Sequence, residues 1–261
     1  ATTSDVTLAA ADYGKVYDTF YKHDITHVVH LAAETHVDNS ILDADAFLRT
    51  NIMGTHNLLK AALKFEIRRF HHVSTDEVYG HLEKGDKKFS EETPYDPRNP
   101  YSASKAASDM FVRAYGSTFK LPFTLSNCSN NYGPKQHKEK FLPVVINSIL
   151  NGDKIPIYGK GANIRDWIYV EDHCSAIWKI LTKGKNAETY LVGSNCEKTN
   201  LEIVEKVCKV MEVNSDEYIS FVEDRKGHDF RYAINSGKLK KELNWKSKTD
   251  LITGLKNTID Y

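Results

Sequence analysis

Apolar runs with the composition of buried strands alternate with segments of helical periodicity over the first two-thirds of the 261-residue chain. Residues 25–31, 70–74 and 122–127 are the apolar runs, and residues 43–65 and 101–119 place apolar side chains three and four apart. Consecutive parallel strands need a crossover connection, which is usually a helix. The alternation therefore predicts an α/β fold with a doubly wound parallel sheet and helices on both of its faces.

The pattern becomes mixed after Gly133-Pro134. Short helices are predicted near residues 140–150, 170–181 and 201–211, and brief strands at 155–158, 189–192 and 218–222. We expect this part of the chain to form most of a smaller mixed α/β lobe beside the large sheet.

The 35 basic and 35 acidic residues cancel, so we expect no nucleic-acid partner and no attraction to an anionic membrane. No apolar run approaches the roughly 20 residues of a membrane span, and the first residues show no signal-peptide core. The four cysteines form no Cys-x-x-Cys pair, and the histidines form no ligand cluster beside carboxylates. These features favour a cytoplasmic protein with reduced thiols and without a metal site.

Tyr101 and Lys105 lie four residues apart on a predicted helix and therefore share one of its faces. A nearby ammonium group favours the phenolate, so we expect Tyr101 to exchange a proton with a hydroxyl group near neutral pH. A surface helix with a solvated lysine is the alternative for this pair taken alone.

Thr75, Asp76 and Glu77 follow a predicted strand, where α/β proteins commonly place ligand-binding residues. Adjacent carboxyl groups in different environments can divide into an acid and a base. Removing water from a sugar needs such a pair, because one group protonates the departing hydroxyl and the other takes a carbon-bound proton. A polar turn that only caps the strand is the alternative for this segment taken alone.

Five motifs follow one another along the chain: STDEVYG, YSASK, NCSNNYGP, YGKGANIRDWIYVEDH and DRKGHDFRYAIN. With them, the chain from about residue 25 to its end resembles the dTDP-glucose 4,6-dehydratases of the extended short-chain dehydrogenase/reductase family. The resemblance implies a Rossmann-type sheet, bound NAD and a dTDP-sugar substrate. It also implies conversion of dTDP-glucose to dTDP-4-keto-6-deoxyglucose: carbon 4 is oxidised, water leaves across carbons 5 and 6, and the hydride returns to carbon 6.

The resemblance implies a role for each catalytic candidate. Tyr101 would be the base for the hydroxyl at carbon 4, with Lys105 tuning it and binding the nicotinamide ribose. Thr75 would hydrogen-bond to that hydroxyl. Asp76 would protonate the leaving hydroxide, and Glu77 would take the proton from carbon 5.

Further positions match the ligand contacts of that family. The implied cofactor contacts, besides Tyr101 and Lys105, are Leu31, Ala32, Ala33, Glu34, Thr35, Thr50 and Asn131. The implied substrate contacts, besides Thr75, are Thr35, Asn130, Lys140, Phe141, Pro156, Ile157, Tyr158, Arg165, Asn200, Asp224, Arg225, Lys226, Gly227 and His228. Arg165 and Arg225 would hold phosphate oxygens by paired hydrogen bonds, and Lys140 would add a point charge.

The family opens with a strand, a Gly-x-x-Gly-x-x-Gly turn and a helix whose N-terminus meets the pyrophosphate. The 261 residues contain no such motif. We therefore expect an N-terminally incomplete dinucleotide-binding domain of residues 1–134 and about 162–190, and a substrate-binding lobe of about 135–161 and 191–261.

Three explanations of the missing turn stay open: a fragment, which we favour, a natural truncation, and a second chain that supplies the element. We expect these 261 residues alone to be impaired in NAD binding. Tight stoichiometric binding in calorimetry would refute that expectation.

Two other functions stay open at this point. One is a UDP- or GDP-sugar 4,6-dehydratase or a 4-epimerase, and the other is a non-catalytic sugar-nucleotide-binding protein that has lost the cofactor loop. Asp76-Glu77 favours dehydration over epimerisation. The family commonly dimerises through two long helices, which implies a homodimer through residues 43–65 and 101–119. Burial of both apolar helix faces within one subunit is the alternative.

Overall fold

The structure is a computed structural model, and it describes residues 10–224 and 228–261. The strands, in chain order, are β1 (His27–His30), β2 (Arg69–Thr75), β3 (Phe123–Cys128), β4 (Asn130–Tyr132), β5 (Ile155–Tyr158), β6 (Ile164–Tyr169), β7 (Glu188–Val192), β8 (Glu197–Thr199) and β9 (Ile219–Val222). The α-helices are α1 (Tyr13–Lys22), α2 (Val37–Leu42), α3 (Asp45–Phe47), α4 (Gly54–Lys64), α5 (Pro100–Phe119), α6 (Phe141–Asn151), α7 (Val170–Lys183), α8 (Asn200–Val210), α9 (Ser215–Tyr218), α10 (Gly237–Leu243) and α11 (Leu251–Ile259). A π-helical turn (Leu48–Met53) joins α3 to α4, and a 3₁₀ turn (Asp76–Tyr79) follows β2.

Four parallel strands in the order β1–β2–β3–β7 form the larger sheet. Helices α1, α4 and α5 lie on one side of it, where Leu59, Phe70 and Val112 belong to one buried cluster. Helices α7 and α10 cover the other side, where Ile180 and Leu239 are fully buried. Because both faces are covered, β2 and β3 are buried along nearly their whole length, and they carry buried polar side chains such as His71 and Thr124 as well as apolar ones.

The smaller part of the molecule contains two further sheets. Strand β4 pairs in parallel with β6, which pairs antiparallel with β8, and β5 pairs in parallel with β9. Helices α6, α8 and α11 pack around an apolar core that includes Leu142, Val145, Ile203, Val207 and Leu255.

The predicted doubly wound α/β class is confirmed, but two details differ from the prediction. Residues 43–65 form α3, a π-helical turn and α4 instead of one continuous helix. Helix α10 was assigned to the substrate lobe, yet it packs on the larger sheet because Leu239 and Leu243 share a core with Tyr190 of β7. The rest of the predicted domain division stays a prediction.

Helix α5 begins where its sequence supplies both a cap and a favourable first residue. Asn99 Oδ1 accepts a hydrogen bond from the Ser102 amide at 2.8 Å, and Ser102 Oγ accepts one from the Asn99 amide at 3.2 Å. Pro100 occupies the first turn, where its missing N–H has no intrahelical partner to lose. This start places Tyr101 in the first turn of α5, beside the end of β2.

No helix within residues 10–224 and 228–261 is long and apolar enough to cross a membrane. The same residues contain no group of three or more His, Cys, Asp or Glu side chains that could hold a metal ion. The four cysteines are not disulfide-bonded.

Candidate active site

The catalytic candidates of the sequence meet where β2 ends. The Thr75 hydroxyl accepts a hydrogen bond from the Glu77 amide at 3.3 Å and caps the 3₁₀ turn that carries both carboxyl groups. Gly80 closes this turn with φ of 86°, and a Cβ there would lie 2.8 Å from the Asp96 carbonyl oxygen. A glycine is therefore required at this position to direct the chain away from the strand end.

Tyr101 and Lys105 project from α5 toward the same strand end. Tyr101 is buried, and its phenol interacts with the Thr75 side chain. Lys105 is also buried, and its Nζ donates a hydrogen bond of 2.9 Å to the Val73 carbonyl in β2. The structure thus brings together the tyrosine, the lysine and the threonine that the sequence predicted as one site.

The electrostatics of Tyr101 differ from the expectation. Its pKa is raised well above the usual value, first because the side chain is buried and next because the Glu77 carboxylate is near. The pKa of Lys105 is itself lowered by burial. The expectation that Lys105 favours the Tyr101 phenolate is therefore not met, because burial and Glu77 dominate in this structure.

The two carboxyl groups occupy different environments. Asp76 is buried, its Oδ2 has no hydrogen-bond partner, and its pKa is raised well above the usual value by burial and then by Glu77. Burial also raises the pKa of Glu77, but the cations of Arg165 and Lys140 oppose the rise. The environments therefore favour a protonated Asp76 more strongly than a protonated Glu77, which is the division that an acid and a base need.

The segment 31–35 follows β1 and is held against the helices behind it. The Glu34 amide donates to Asn51 Oδ1 at 2.8 Å, and Asn51 Nδ2 donates to the Glu34 carbonyl and to Ser104 Oγ. Lys140 Nζ donates to the Thr35 carbonyl at 2.7 Å. These bonds connect the predicted cofactor segment to α5 and to the start of α6.

Leu31, Ala32 and Ala33 of this segment, and Thr50, are the other predicted cofactor contacts. Leu31 is exposed, Ala32 and Ala33 are partly exposed, and Thr50 is buried in the π-helical turn. Their roles as cofactor contacts stay predictions.

A cavity of about 630 Å³ opens beside the carboxyl pair. It is lined by Glu77 and by eleven of the predicted ligand contacts: Thr35, Asn130, Asn131, Lys140, Phe141, Pro156, Ile157, Tyr158, Arg165, Asn200 and His228. Tyr101, Thr75 and Asp76 are not part of this lining, but Tyr101 interacts with Thr75, and both carboxyl groups are near enough to the phenol to raise its pKa. The cavity thus has the size and polarity of a ligand site, with Glu77 in its lining and the other catalytic candidates near Glu77.

Arg98, Asp229 and Tyr232 are among the lining residues that were not predicted, and they contact one another. Arg98 and Tyr232 both hydrogen-bond to the buried Asp229 carboxylate. The Arg165 guanidinium lies 4.3 Å from the centre of the Tyr232 ring and donates to the Asp229 carbonyl at 3.0 Å. The only sequence signal for Asp229 and Tyr232 is that they belong to the DRKGHDFRYAIN motif.

The last group of predicted contacts is only partly described. Asp224 Oδ1 lies 2.6 Å from Nδ1 of His228, which lines the cavity. Arg225, Lys226 and Gly227 lie outside the described residues. Asn131 has a partner that the sequence did not predict, since His173 Nδ1 lies 2.7 Å from Asn131 Oδ1.

The described residues fit one end of a dinucleotide. Ser74 Oγ, Ser129 Oγ and Asp76 Oδ2 are buried at the strand ends without hydrogen-bond partners. Such atoms usually mark a place where a ligand or water completes the bonding. With Tyr101 and Lys105, they suit the ribose and nicotinamide end. No glycine-rich turn for the pyrophosphate end occurs within residues 10–224 and 228–261.

Comparisons with known proteins agree with this geometry. The family model described as GDP-mannose 4,6 dehydratase matches residues 5–258. The dTDP-glucose 4,6-dehydratase of Mycolicibacterium smegmatis (strain ATCC 700084 / mc(2)155) is 50% identical over 236 residues, which cover 90% of this chain and 71% of the relative. That of Escherichia coli is 46% identical over 265 residues, covering 93% of this chain and 73% of the relative.

Solved structures give the same result. The chain is similar to DesIV, a dTDP-glucose 4,6-dehydratase from Streptomyces venezuelae solved with NAD and TYD bound. The TM-score is 0.92 and the identity 39%, with 96% of this chain and 76% of that chain covered. A UDP-glucose 4-epimerase from Thermotoga maritima superposes with a TM-score of 0.91 at 26% identity, covering 97% of this chain and 82% of that chain. The identity to the dehydratases is higher than the identity to the epimerase, and the Asp76-Glu77 pair also favours dehydration. The chain belongs to the dTDP-glucose 4,6-dehydratase family.

Proposed function

We propose that the chain carries the catalytic site of an NAD-dependent lyase that converts dTDP-glucose to dTDP-4-keto-6-deoxyglucose. The observation that carries the proposal is the meeting of Tyr101 and Thr75 with two unlike carboxyl groups, of which Glu77 lines the cavity. The relatives described above, which bear this name, support the substrate and the cofactor. We also propose that the protein works in the cytoplasm.

In this proposal, Tyr101 takes the proton from the hydroxyl at carbon 4, while Thr75 hydrogen-bonds to the same hydroxyl. When bound, NAD supplies reversible hydride acceptance. Lys105 holds positive charge beside the tyrosine and would bind the nicotinamide ribose. The raised pKa of Tyr101 in the structure implies that substrate and cofactor must change its environment before it acts as a base.

Asp76 and Glu77 then divide the elimination between them. Asp76 holds a proton because it is buried, and it gives that proton to the hydroxide that leaves carbon 6. Glu77 lies near Arg165 and Lys140, which favour its ionised form, and it removes the proton from carbon 5. That proton becomes acidic only after carbon 4 is a ketone, so the order of steps follows from the chemistry.

The cationic and aromatic residues of the cavity lining bind the nucleotide diphosphate in this proposal. Arg165 and Lys140 place two cations in the cavity, and His228 lies on the same lining. Phe141 and Tyr158 add aromatic surface for the base and sugars. The remaining predicted substrate contacts, Thr35, Asn130, Pro156, Ile157, Asn200, Asp224, Arg225, Lys226 and Gly227, complete this proposed site.

Two single variants of the NAD-loaded enzyme test the division of roles. Glu77→Gln should abolish solvent-deuterium exchange at carbon 5 and lower kcat roughly 10²- to 10⁴-fold, because the base is lost. Asp76→Asn should also block water loss. It should still allow exchange at carbon 5, since Glu77 remains. Exchange that persists in Glu77→Gln would contradict the base assignment.

Product analysis by NMR tests the reaction itself. A 4-keto-6-deoxy sugar formed from dTDP-glucose supports the proposal, whereas simple inversion at carbon 4 would identify an epimerase instead. A UDP- or GDP-sugar turned over faster than dTDP-glucose would contradict the proposed nucleobase.

We further propose a homodimer formed through α5 and the neighbouring π-helical turn. Leu48 and Met53 on the turn and Met110 and Phe111 on α5 are exposed apolar side chains. The turn and α5 pack side by side, so these residues offer one apolar surface to a partner copy. Met110→Glu should convert a dimer to a monomer in light scattering, whereas the control Trp178→Glu, on the exposed side of α7, should not.

A further inference from the structure

A cluster of buried polar side chains lies beneath the catalytic residues, on the side away from the cavity. At its centre is Asp109, which is fully buried on α5, one turn after Lys105. Tyr95 donates to Asp109 Oδ2 at 2.8 Å, and Asn127 Nδ2 donates to the same oxygen at 3.3 Å. His72 Nε2 lies 3.2 Å from the other oxygen, Oδ1. None of the roles proposed above uses this carboxylate.

Lys105 needs a negative partner in this interior. It is buried, and its Nζ donates a hydrogen bond to the neutral Val73 carbonyl. A buried ammonium without a nearby anion tends to lose its proton. Positions four apart on a helix are neighbours, so Asp109 lies next to Lys105 on the face of α5 that packs against β2.

The charged and titratable groups around Lys105 come from four elements. Asp109 lies on α5 itself, His72 on β2, His30 on β1 and Cys128 at the end of β3. Both histidines have lowered pKa values because they are buried, and burial raises the pKa of Cys128 to about 12. These three groups are therefore neutral near pH 7, and Asp109 is the only carboxyl group among the four residues.

Arg113 is the other cation near Asp109, one turn further along α5. Its guanidinium donates to Thr189 Oγ1 at 2.8 Å and interacts with Tyr95. The Arg113 guanidinium is therefore directed toward β7 and toward Tyr95, the residue that donates a hydrogen bond to Asp109. His72 competes for Asp109 only in its protonated form, and lysine retains a proton about four pH units more strongly than histidine.

We propose that Asp109 is a positioning residue whose buried carboxylate is the counter-charge that keeps Lys105 an ammonium beneath the active site. The same carboxylate also orders Asn127, whose Nδ2 donates to the Thr75 carbonyl at 3.1 Å at the end of β2. The effect of Asp109 on catalysis rests on the proposed catalytic role of Lys105. The charge state of Lys105 can be measured without turnover.

The test compares Asp109→Asn with the control Tyr95→Phe. The first removes the charge and keeps the shape, and the second removes one hydrogen bond to the same oxygen and keeps the charge. NMR titration of protein labelled with ¹³Cε-lysine measures the pH midpoint at which Lys105 loses its proton. The Lys105 signal is identified by its absence in Lys105→Arg. Asp109→Asn should lower that midpoint by about 1 to 2 pH units, and Tyr95→Phe by a few tenths at most.

The NAD-loaded enzyme gives the functional readout. A lower Lys105 pKa means that the ammonium is lost at a lower pH, so the alkaline limb of the kcat profile should move down in Asp109→Asn. A purely structural role would lower kcat at every pH without moving this limb. If the Lys105 midpoint moves in NMR but the alkaline limb of the kcat profile does not, the result would contradict the proposed catalytic role of Lys105. It would still support Asp109 as the counter-charge of Lys105.

An unchanged Lys105 midpoint in folded Asp109→Asn would overturn the proposal and point to Arg113 as the partner of Asp109. If Asp109→Asn does not fold, the imidazole shifts of His72 in the unmodified protein decide the matter. A neutral His72 with a charged Lys105 at pH 7 agrees with the proposal. A protonated His72 would make the histidine the partner of Asp109 and overturn it.

Discussion

The interior beneath the active site is polar, whereas the core of the smaller part is apolar. On β2 and β3, His71, Thr124 and Asn127 are fully buried and exchange hydrogen bonds with one another or with neighbouring side chains. In the smaller part, helices α6, α8 and α11 bury a cluster made almost entirely of aliphatic and aromatic side chains.

The contrast shows how the two regions divide their tasks. Burying apolar area stabilises a fold with little demand on geometry. A buried polar network stabilises it less, and every member must be paired, but the pairing fixes side chains in one arrangement. We infer that the larger sheet gives up some stability to hold Tyr101 and Lys105 in place, and that the smaller part supplies stability around the cavity.

The largest expected effect separates activity from stability in the polar region. Tyr101→Phe should lower kcat about 10³-fold, because the proton acceptor is removed, while the melting temperature changes little. Tyr115→Phe, which removes a phenol from the same helix where it contacts His56, is the matched control and should stay within about twofold of the unmodified kcat. Steady-state kinetics with thermal melts checks both. A similar loss in the control would break the proposed division of tasks.

The next effect belongs to the apolar core. Ile203 is fully buried on α8, so Ile203→Ala should lower the free energy of unfolding by about 2 to 5 kcal/mol through lost burial and a cavity. Ile203→Val should cost only about 1 kcal/mol. Urea unfolding measures both, and kcat per folded molecule should be unchanged. A fall in kcat with intact folding would mean that this core also shapes the site.

The most gradual effect, spread over more than two pH units, comes from the buried histidine His173. Burial lowers the pKa of His173 to about 4, so below the unfolded-state value of 6.5 the unfolded chain binds more protons than the folded one. Stability should therefore fall as the pH drops from 6.5 toward 4, by about 1.4 kcal/mol per pH unit for this one proton. His173→Gln keeps a polar side chain beside Asn131 and should flatten that dependence. Parallel pH curves for the two proteins would contradict this cause.

The sequence predicted the fold well because its signals are local. Apolar runs and helical spacing identify strands and helices one segment at a time, and Asn99-Pro100 marks the start of α5. The π-helical turn was missed because its residues have ordinary helical periodicity. Helix α10 was assigned to the wrong part since nothing in its own residues says that its apolar face meets β7.

The catalytic candidates were predictable as a set, but their electrostatics were not. The spacing of Tyr101 and Lys105 places them on one face, yet it does not show that Lys105 reaches the Val73 carbonyl or that Glu77 lies near the phenol. The Arg98–Asp229 contact joins residues 131 positions apart, which no local pattern can indicate. The direction of a pKa shift depends on such long-range neighbours and on burial.

The fluorescence of Trp167 should report the binding of a ligand in the cavity. Its indole lines the cavity, packs against Phe141 with ring centres 6.0 Å apart, and keeps a buried Nε1 without a hydrogen-bond partner. Trp178 is exposed on α7 and Trp245 is buried with its Nε1 bonded to Ser175, so neither borders the cavity. A nucleotide that fills the cavity should quench or shift the blue part of the emission, which makes binding measurable by intrinsic fluorescence without a label.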